Sequence, residues 1–269
     1  MDLVSVIIPT FNRADLIAKA IHSALNQTLA PFEVLVCDDG STDSSRDMVE
    51  SIGDPRIRWL EGEHSGLPAV PRNRGIWAAK GEWLAFLDSD DEWLPEKLDK
   101  QLAAAKKLNC LAACTNAHAH IPGKGIAGEM SNWPEEIIIF KNLIRNNPVI
   151  CSSGLVHFSL MENVRGFPET PDLIEDYAFW LRVAAYTDIA FLKEPLLIYC
   201  NNPLSSVRST FPTDIMVQRI GVFTDFLRWV AGRQDGPLLD KFMLRFALAY
   251  YVIKGTMHWD IPPCQGEEN

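Results

Sequence analysis

The first 115 residues alternate between short β-rich apolar runs and longer segments of helical spacing, and this limits the fold more than any other feature. Strand-like runs fall at 3–8 (LVSVII), 32–37 (FEVLVC), 56–61 (RIRWLE), 82–87 (EWLAFL) and 110–115 (CLAACT). Between them, 14–27 spaces its apolar residues for a helix, and 42–52 reads as a helix that Ser and Thr can cap. Residues 68–80 open on prolines and continue as a helix, and another helix starts at Pro95. Such alternation predicts βαβ units, right-handed crossovers and a Rossmann-like, mostly parallel sheet flanked by helices. In an open α/β sheet the carboxyl ends of the strands line one crevice, where ligands bind. The residues that follow three of these strands, 9–13, 38–41 and 88–91, are polar.

After residue 120 the alternation breaks. Residues 121–136 read as loop, 153–159 as a strand, 171–186 as a helix and 189–200 as two short strands. From 212 to 258 the pattern gives two helices separated by GRQDGP. A chain of 269 residues that is 47% hydrophobic can bury a real core, as one large domain or two small ones. Its formal charge of -10, with no run of Lys or Arg, gives no footprint for nucleic acid. No apolar stretch reaches the ~18 residues of a membrane span. The N-terminus reads as a first strand, not a signal peptide, and the six cysteines form no C-x-x-C pair. Free thiols in a cytoplasmic protein are the expectation.

The stretch LDSDDEW (87–93) places Asp88, Asp90 and Asp91 at the end of a predicted strand. Hard oxygen donors on a turn suit Mg²⁺ or Mn²⁺, with phosphate oxygens completing the shell. A solvated strand end and helix cap is the plainer reading, because Asp is common in turns. Three acids in four positions repel one another without a cation, and Asp38-Asp39 makes a second acidic turn at a neighbouring strand end.

VSVIIPTFNR (4–13), VLVCDDGSTD (34–43), RNRGIWAAKGEWLAFLDSDDEW (72–93) and EDYAFWLRVA (175–184) follow one another in the order and spacing of family 2 glycosyltransferases. The chain resembles that family over roughly residues 3–200. The resemblance implies the GT-A fold, a nucleotide-diphosphate sugar donor, a divalent metal and inversion at the anomeric carbon. It implies that Pro9, Thr10 and Asn12 wrap the nucleoside, that Asp39 contacts the base (usually uracil) and that Arg72 reaches toward the nucleotide. Asp88 falls near the ribose and Asp90 on the metal, which Asp91 shares. Asp176 matches the catalytic base, with Glu175 beside it. Pro71 stands where the family usually has Ala. On residues alone, Glu175 and Asp176 also suit a helix start, where the helix dipole favours acids. The implied organisation is a catalytic domain at 1–210, with a nucleotide-binding half (1–115) and an acceptor half (116–210), and a helical extension at 211–269.

Several other signals carry less. GKGIAG (123–128) matches G-x-G-x-x-G but lacks a preceding strand and a following helix, so it reads as a loop over the acceptor side. His118 and His120 share a strand face without a third metal ligand, and Cys110 and Cys114 read as packing. Arg208 suits either a contact to the diphosphate or plain surface charge. The aromatic tail at 242–259 suits packing on the catalytic domain or a homodimer contact. Peripheral contact with the cytoplasmic face of a membrane is the alternative for that tail, and it would suit a lipid-linked glycan acceptor. The expectation is an inverting transferase using a UDP-sugar and a glycan acceptor. Its rivals are an inactive nucleotide-sugar-binding protein and a sugar nucleotidyltransferase. The latter needs a Gly-rich loop after its first strand, and PTFNRAD has no glycine.

Overall fold

A computed structural model describes residues 2–30, 33–171, 173–200 and 215–232. The strands are β1 (Val4–Thr10), β2 (Glu33–Asp38), β3 (Ile57–Leu60), β4 (Trp83–Phe86), β5 (Glu92–Trp93), β6 (Ala112–Ile121), β7 (Gly125–Glu129), β8 (Ile137–Ile138), β9 (Leu155–His157) and β10 (Ile189–Cys200). The helices are α1 (Ile17–Leu25), α2 (Ser45–Ser51), α3 (Ala69–Ala78), α4 (Lys97–Lys107), α5 (Phe140–Arg145), α6 (Met161–Val164), α7 (Glu175–Ala184) and α8 (Ile215–Ala231). All ten strands join one sheet, in the order β3-β2-β1-β4-β9-β6-β10-β5, with β7 on β6 and β8 on β10.

β1 pairs in parallel with β2 and β4, β2 with β3, and β6 with β10. Short β9 runs antiparallel between β4 and β6. The sheet is therefore mixed and mostly parallel, flanked by helices, as the alternation predicts. β1 is buried on both faces, which is why VSVII is continuously β-branched apart from Ser5 rather than alternating. Ile7 enters one core, with Ile76 of α3, Trp180 of α7 and Phe223 of α8. Val4, Val6 and Ile8 enter the other, against Ile17 and Ile21 of α1 and Leu98 of α4. The chain runs from β1 to β2 and β3 on one side, then crosses to β4 on the other. Such a reversal of strand order opens a crevice at the carboxyl ends of β1 and β4.

Three local expectations differ from the structure. Residues 121–136 are not all loop: β6 continues to Ile121 and folds back as β7, with Gly123, Gly125 and Gly128 at φ 80, 80 and 138°. The three glycines of GKGIAG thus serve a hairpin. Residues 189–200 form one strand, not two; its register shifts either side of Pro195, whose missing N–H cannot hold a ladder bond. The helix expected from 171 starts at Glu175. Arg208, the segment 242–259 and the second of the two tail helices lie outside the described residues. Among the described residues, no helix is long and apolar enough to cross a membrane.

Candidate active site

The acidic turn follows β4. Leu87 N bonds to Ile7 O at 3.0 Å, so the β1 ladder carries the chain to the start of the turn. Asp88 N then donates to Ser152 Oγ at 3.0 Å, and Trp93 Nε1 donates to Ser152 O at 2.7 Å. Asp91 N closes the turn on Asp88 O at 3.1 Å. The Asp91 side chain points into the protein: the residue is 1% exposed, Oδ1 accepts from Cys200 N at 2.8 Å, and Oδ2 has no hydrogen-bond partner. Asp88 and Asp90 are only partly buried.

Arg72, on the inner face of α3, is 5% exposed. Its Nη2 lies 2.6 Å from Asp88 Oδ1 and its Nη1 2.7 Å from Glu175 Oε1, with the guanidinium over the Phe167 ring. One buried cation thus joins the turn after β4 to the first residue of α7, 103 positions along the chain. Asp176 is 8% exposed, and its Oδ1 accepts from Tyr177 N at 2.7 Å. Trp180, one turn on, is fully buried, and Gly154 makes room for it: a Cβ there would lie 2.2 Å from Trp180 Cζ2.

At the ends of β1 and β2 the expected residues lie close together, held mostly by bonds to residues beside them. Asn12, at φ 52°, accepts on Oδ1 from Thr42 N at 2.8 Å and donates its backbone N–H to Ser41 Oγ. Asp38 Oδ2 accepts from the N–H groups of Gly40 and Ser41. Asp39 N donates to Thr10 O at 2.8 Å, and the Asp39 carboxylate faces the segment 64–66. Pro9 lies within the β1–β2 ladder, opposite Cys37. Thr10 Oγ1 is buried without a partner.

Negative charge dominates this crevice. Burial and then the charge of Asp88 push the Asp90 carboxyl up, against the pull of Arg13. Burial, Asp88 and Asp90 together push Asp91 far above the usual carboxylate range. Burial also raises Glu175; Arg72 opposes that and Asp176 adds to it. Among the described residues, no three His, Cys, Asp or Glu groups converge as a complete metal cage. The donor set still fits a hard cation that takes one or two carboxylates and fills its shell from phosphate and water. The unpartnered, buried Asp91 Oδ2 and the mutually repelling Asp88, Asp90 and Asp91 are what such a cation would relieve. A depression of about 640 Å³ at the opposite, amino end of the sheet is lined by Trp83, Lys106 and His157 and holds none of these acids.

Sequence reasoning missed Ser152, the backbone of Cys200, and His64-Ser65-Gly66. Each acts through a backbone group, a short polar side chain or, at His64, a ring nitrogen, far along the chain from its partner. Only the glycine of HSG hinted at a tight turn.

The match to known proteins is consistent with this geometry. Residues 5–164 fit the model of glycosyl transferase family 2. The chain is 33% identical, over 68% of its length and 70% of the relative's, to the Escherichia coli UDP-Glc:alpha-D-GlcNAc-diphosphoundecaprenol beta-1,3-glucosyltransferase WfaP. It is 30% identical, over 76% of its length and 82% of the relative's, to the putative teichuronic acid biosynthesis glycosyltransferase TuaG of Bacillus subtilis. Among solved structures, S. aureus TarS 1-349 in complex with UDP-GlcNAc superposes with a TM-score of 0.74 over 93% of this chain and 71% of the other, at 21% identity. Motifs, fold and relatives agree, and the chain belongs to glycosyltransferase family 2.

Proposed function

We propose that the protein transfers a sugar from a UDP-sugar to a hydroxyl of a lipid-linked glycan, inverting the anomeric centre, in cell-surface polysaccharide synthesis. The observation that carries the reading is the Arg72 bridge, 2.6 Å to Asp88 and 2.7 Å to Glu175. It brings the donor-side acids and the acidic pair of α7 into one crevice. The relatives' names supply the substrate class: the E. coli enzyme takes UDP-Glc and a diphosphoundecaprenol-linked acceptor. Mn²⁺ accompanies GDP-Man in a mannosyltransferase from Pyrobaculum calidifontis of related fold, at a TM-score of 0.60 and 20% identity.

In this reading Asp90, with the unpartnered Asp91 Oδ2 behind it, would hold Mn²⁺ or Mg²⁺. Such a cation would supply Lewis-acid stabilisation of the leaving diphosphate. The protein's own task is the acceptor. Asp176 takes the proton of the attacking hydroxyl on the face opposite the diphosphate. Glu175, tied to Arg72, is a positioning residue. Asp39 reads the base, while Asn12 and Thr10 shape the nucleoside loop. Placement on the cytoplasmic face of a membrane, where a lipid-linked acceptor is presented, fits this reading.

Calorimetric titration of UDP in Mn²⁺ and in EDTA tests the donor site. Wild type is expected to need the metal, and Asp90→Ala to lose the metal-dependent part. Asp176→Asn is expected to keep UDP affinity while turnover falls by ~10²–10⁴. Equal UDP binding in EDTA sinks the metal role; full turnover by Asp176→Asn sinks the base.

A further inference from the structure

The segment between β3 and α3 closes over Asp39. Asp39 Oδ1 accepts from Ser65 N at 3.0 Å and Ser65 Oγ at 2.6 Å, and Oδ2 accepts from Gly66 N at 3.0 Å. His64 Nδ1 lies 3.0 Å from Oδ2 and is hydrogen-bonded to the Asp39 carbonyl oxygen, also at 3.0 Å. A carbonyl only accepts, so Nδ1 carries the proton. A carboxylate offers about four lone-pair sites. Three donors bond to this one, and the His64 ring edge lies 3.0 Å from its Oδ2, so a newcomer on that side must displace His64.

The same imidazole stacks on Phe11, with ring centroids 4.0 Å apart and planes at 19°. His64 therefore makes two contacts at once: a flat ring on Phe11, and a ring N–H against Asp39. Uracil, a flat ring with its own N–H donor, has the features to make the same two. We propose that His64 is an internal stand-in for the nucleobase, holding the base subsite closed until a nucleotide displaces it. This rests on the UDP-sugar reading above and adds a residue that competes with the donor.

His64 is the group able to leave. Of the three donors to the carboxylate, two are backbone N–H groups, and the third, Ser65 Oγ, also accepts from Leu67 N. The His64 side chain is 52% exposed, so it swings about its own side-chain bonds without moving the backbone. Gly40 lets the segment lie this close: a Cβ there would meet His64 N at 2.7 Å.

A gate closed about nine-tenths of the time raises the apparent dissociation constant about tenfold. UDP titrated calorimetrically into wild type and His64→Ala, both with Mn²⁺, tests the gate, with inorganic pyrophosphate as the control ligand. The expected result is UDP binding roughly five- to tenfold tighter in His64→Ala, with pyrophosphate affinity unchanged. If His64→Ala weakens UDP binding or leaves it the same, His64 is a wall of the subsite or a bystander, and the inference is overturned. A pyrophosphate affinity that rises in step with UDP overturns it too, since the effect would not lie at the base. If UDP binds neither protein, the donor reading itself fails and takes the gate with it.

Discussion

Glu33 begins β2 with only 4% exposure, yet its carboxyl is held below the usual range. Burial alone would raise it; hydrogen bonds from Ser5 Oγ at 2.7 Å and Lys80 N at 2.6 Å, with the Arg58 guanidinium, outweigh that. A carboxyl depressed on folding adds stability above its unfolded pKa of about 4.3 and loses it as pH falls through the folded value. Glu33→Gln is expected to cost about 2 kcal/mol at pH 7, measured by urea unfolding. That difference should shrink as pH falls through the lowered folded pKa, because wild type is then protonated as well. A constant difference across pH would mean that shape, not charge, sets the effect.

At the scale of an element, α3 is placed by a glycine. A Cβ on Gly75 would lie 2.6 Å from Ile7 Cγ2 and 2.8 Å from Cys37 Sγ, both in the sheet beneath. The helix can approach β1 and β2 this closely only without that carbon. Ala favours a helix more than Gly, by roughly 1 kcal/mol. Gly75→Ala is nevertheless expected to lower stability by about 1–3 kcal/mol, since overpacking exceeds the gain in propensity. The shift lifts α3, and Arg72 three residues earlier moves with it. Turnover should therefore fall further than the loss of folded protein explains. A variant with raised Tm and full activity would show that the helix has slack.

For the whole molecule, Arg72 ties the β1–β4 half of the sheet to α7. Both of its partners are acids in a crevice already rich in negative charge, and its own side chain is 6% exposed. Removing one partner of a buried pair leaves the other charge uncompensated. Arg72→Met is expected to cost about 3–5 kcal/mol in urea unfolding. A loss under 1 kcal/mol would mean that water reaches Asp88 and Glu175 and that the bridge is not a tie. The opposite arrangement is seen at Lys97, fully buried over the Trp93 ring at 4.0 Å and bonded to Gln101, where burial depresses the amine.

Features that depend on neighbours in sequence were legible before any coordinates. The strand–helix alternation is local, because apolar period and chain breakers act within a few residues. So is the crowding of Asp88, Asp90 and Asp91 on one turn. Family motifs singled out Arg72, Glu175 and Asp176, and the fold brings Arg72 against Glu175. The hairpin of β6 and β7 was hidden because its glycines and polar residues carry no strand pattern, and pairing alone makes it a strand. What the fold decided is how each acid is turned and what it is tied to. Asp91 turns inward to the N–H of Cys200, 109 residues away, and Arg72 is committed to two acids. Asp39 is covered by a segment 25–27 residues further on. Composition and spacing set where charge lies along the chain. Long-range closure sets what each charge meets, because a hydrogen bond depends on distances of about 3 Å that only the folded backbone brings about.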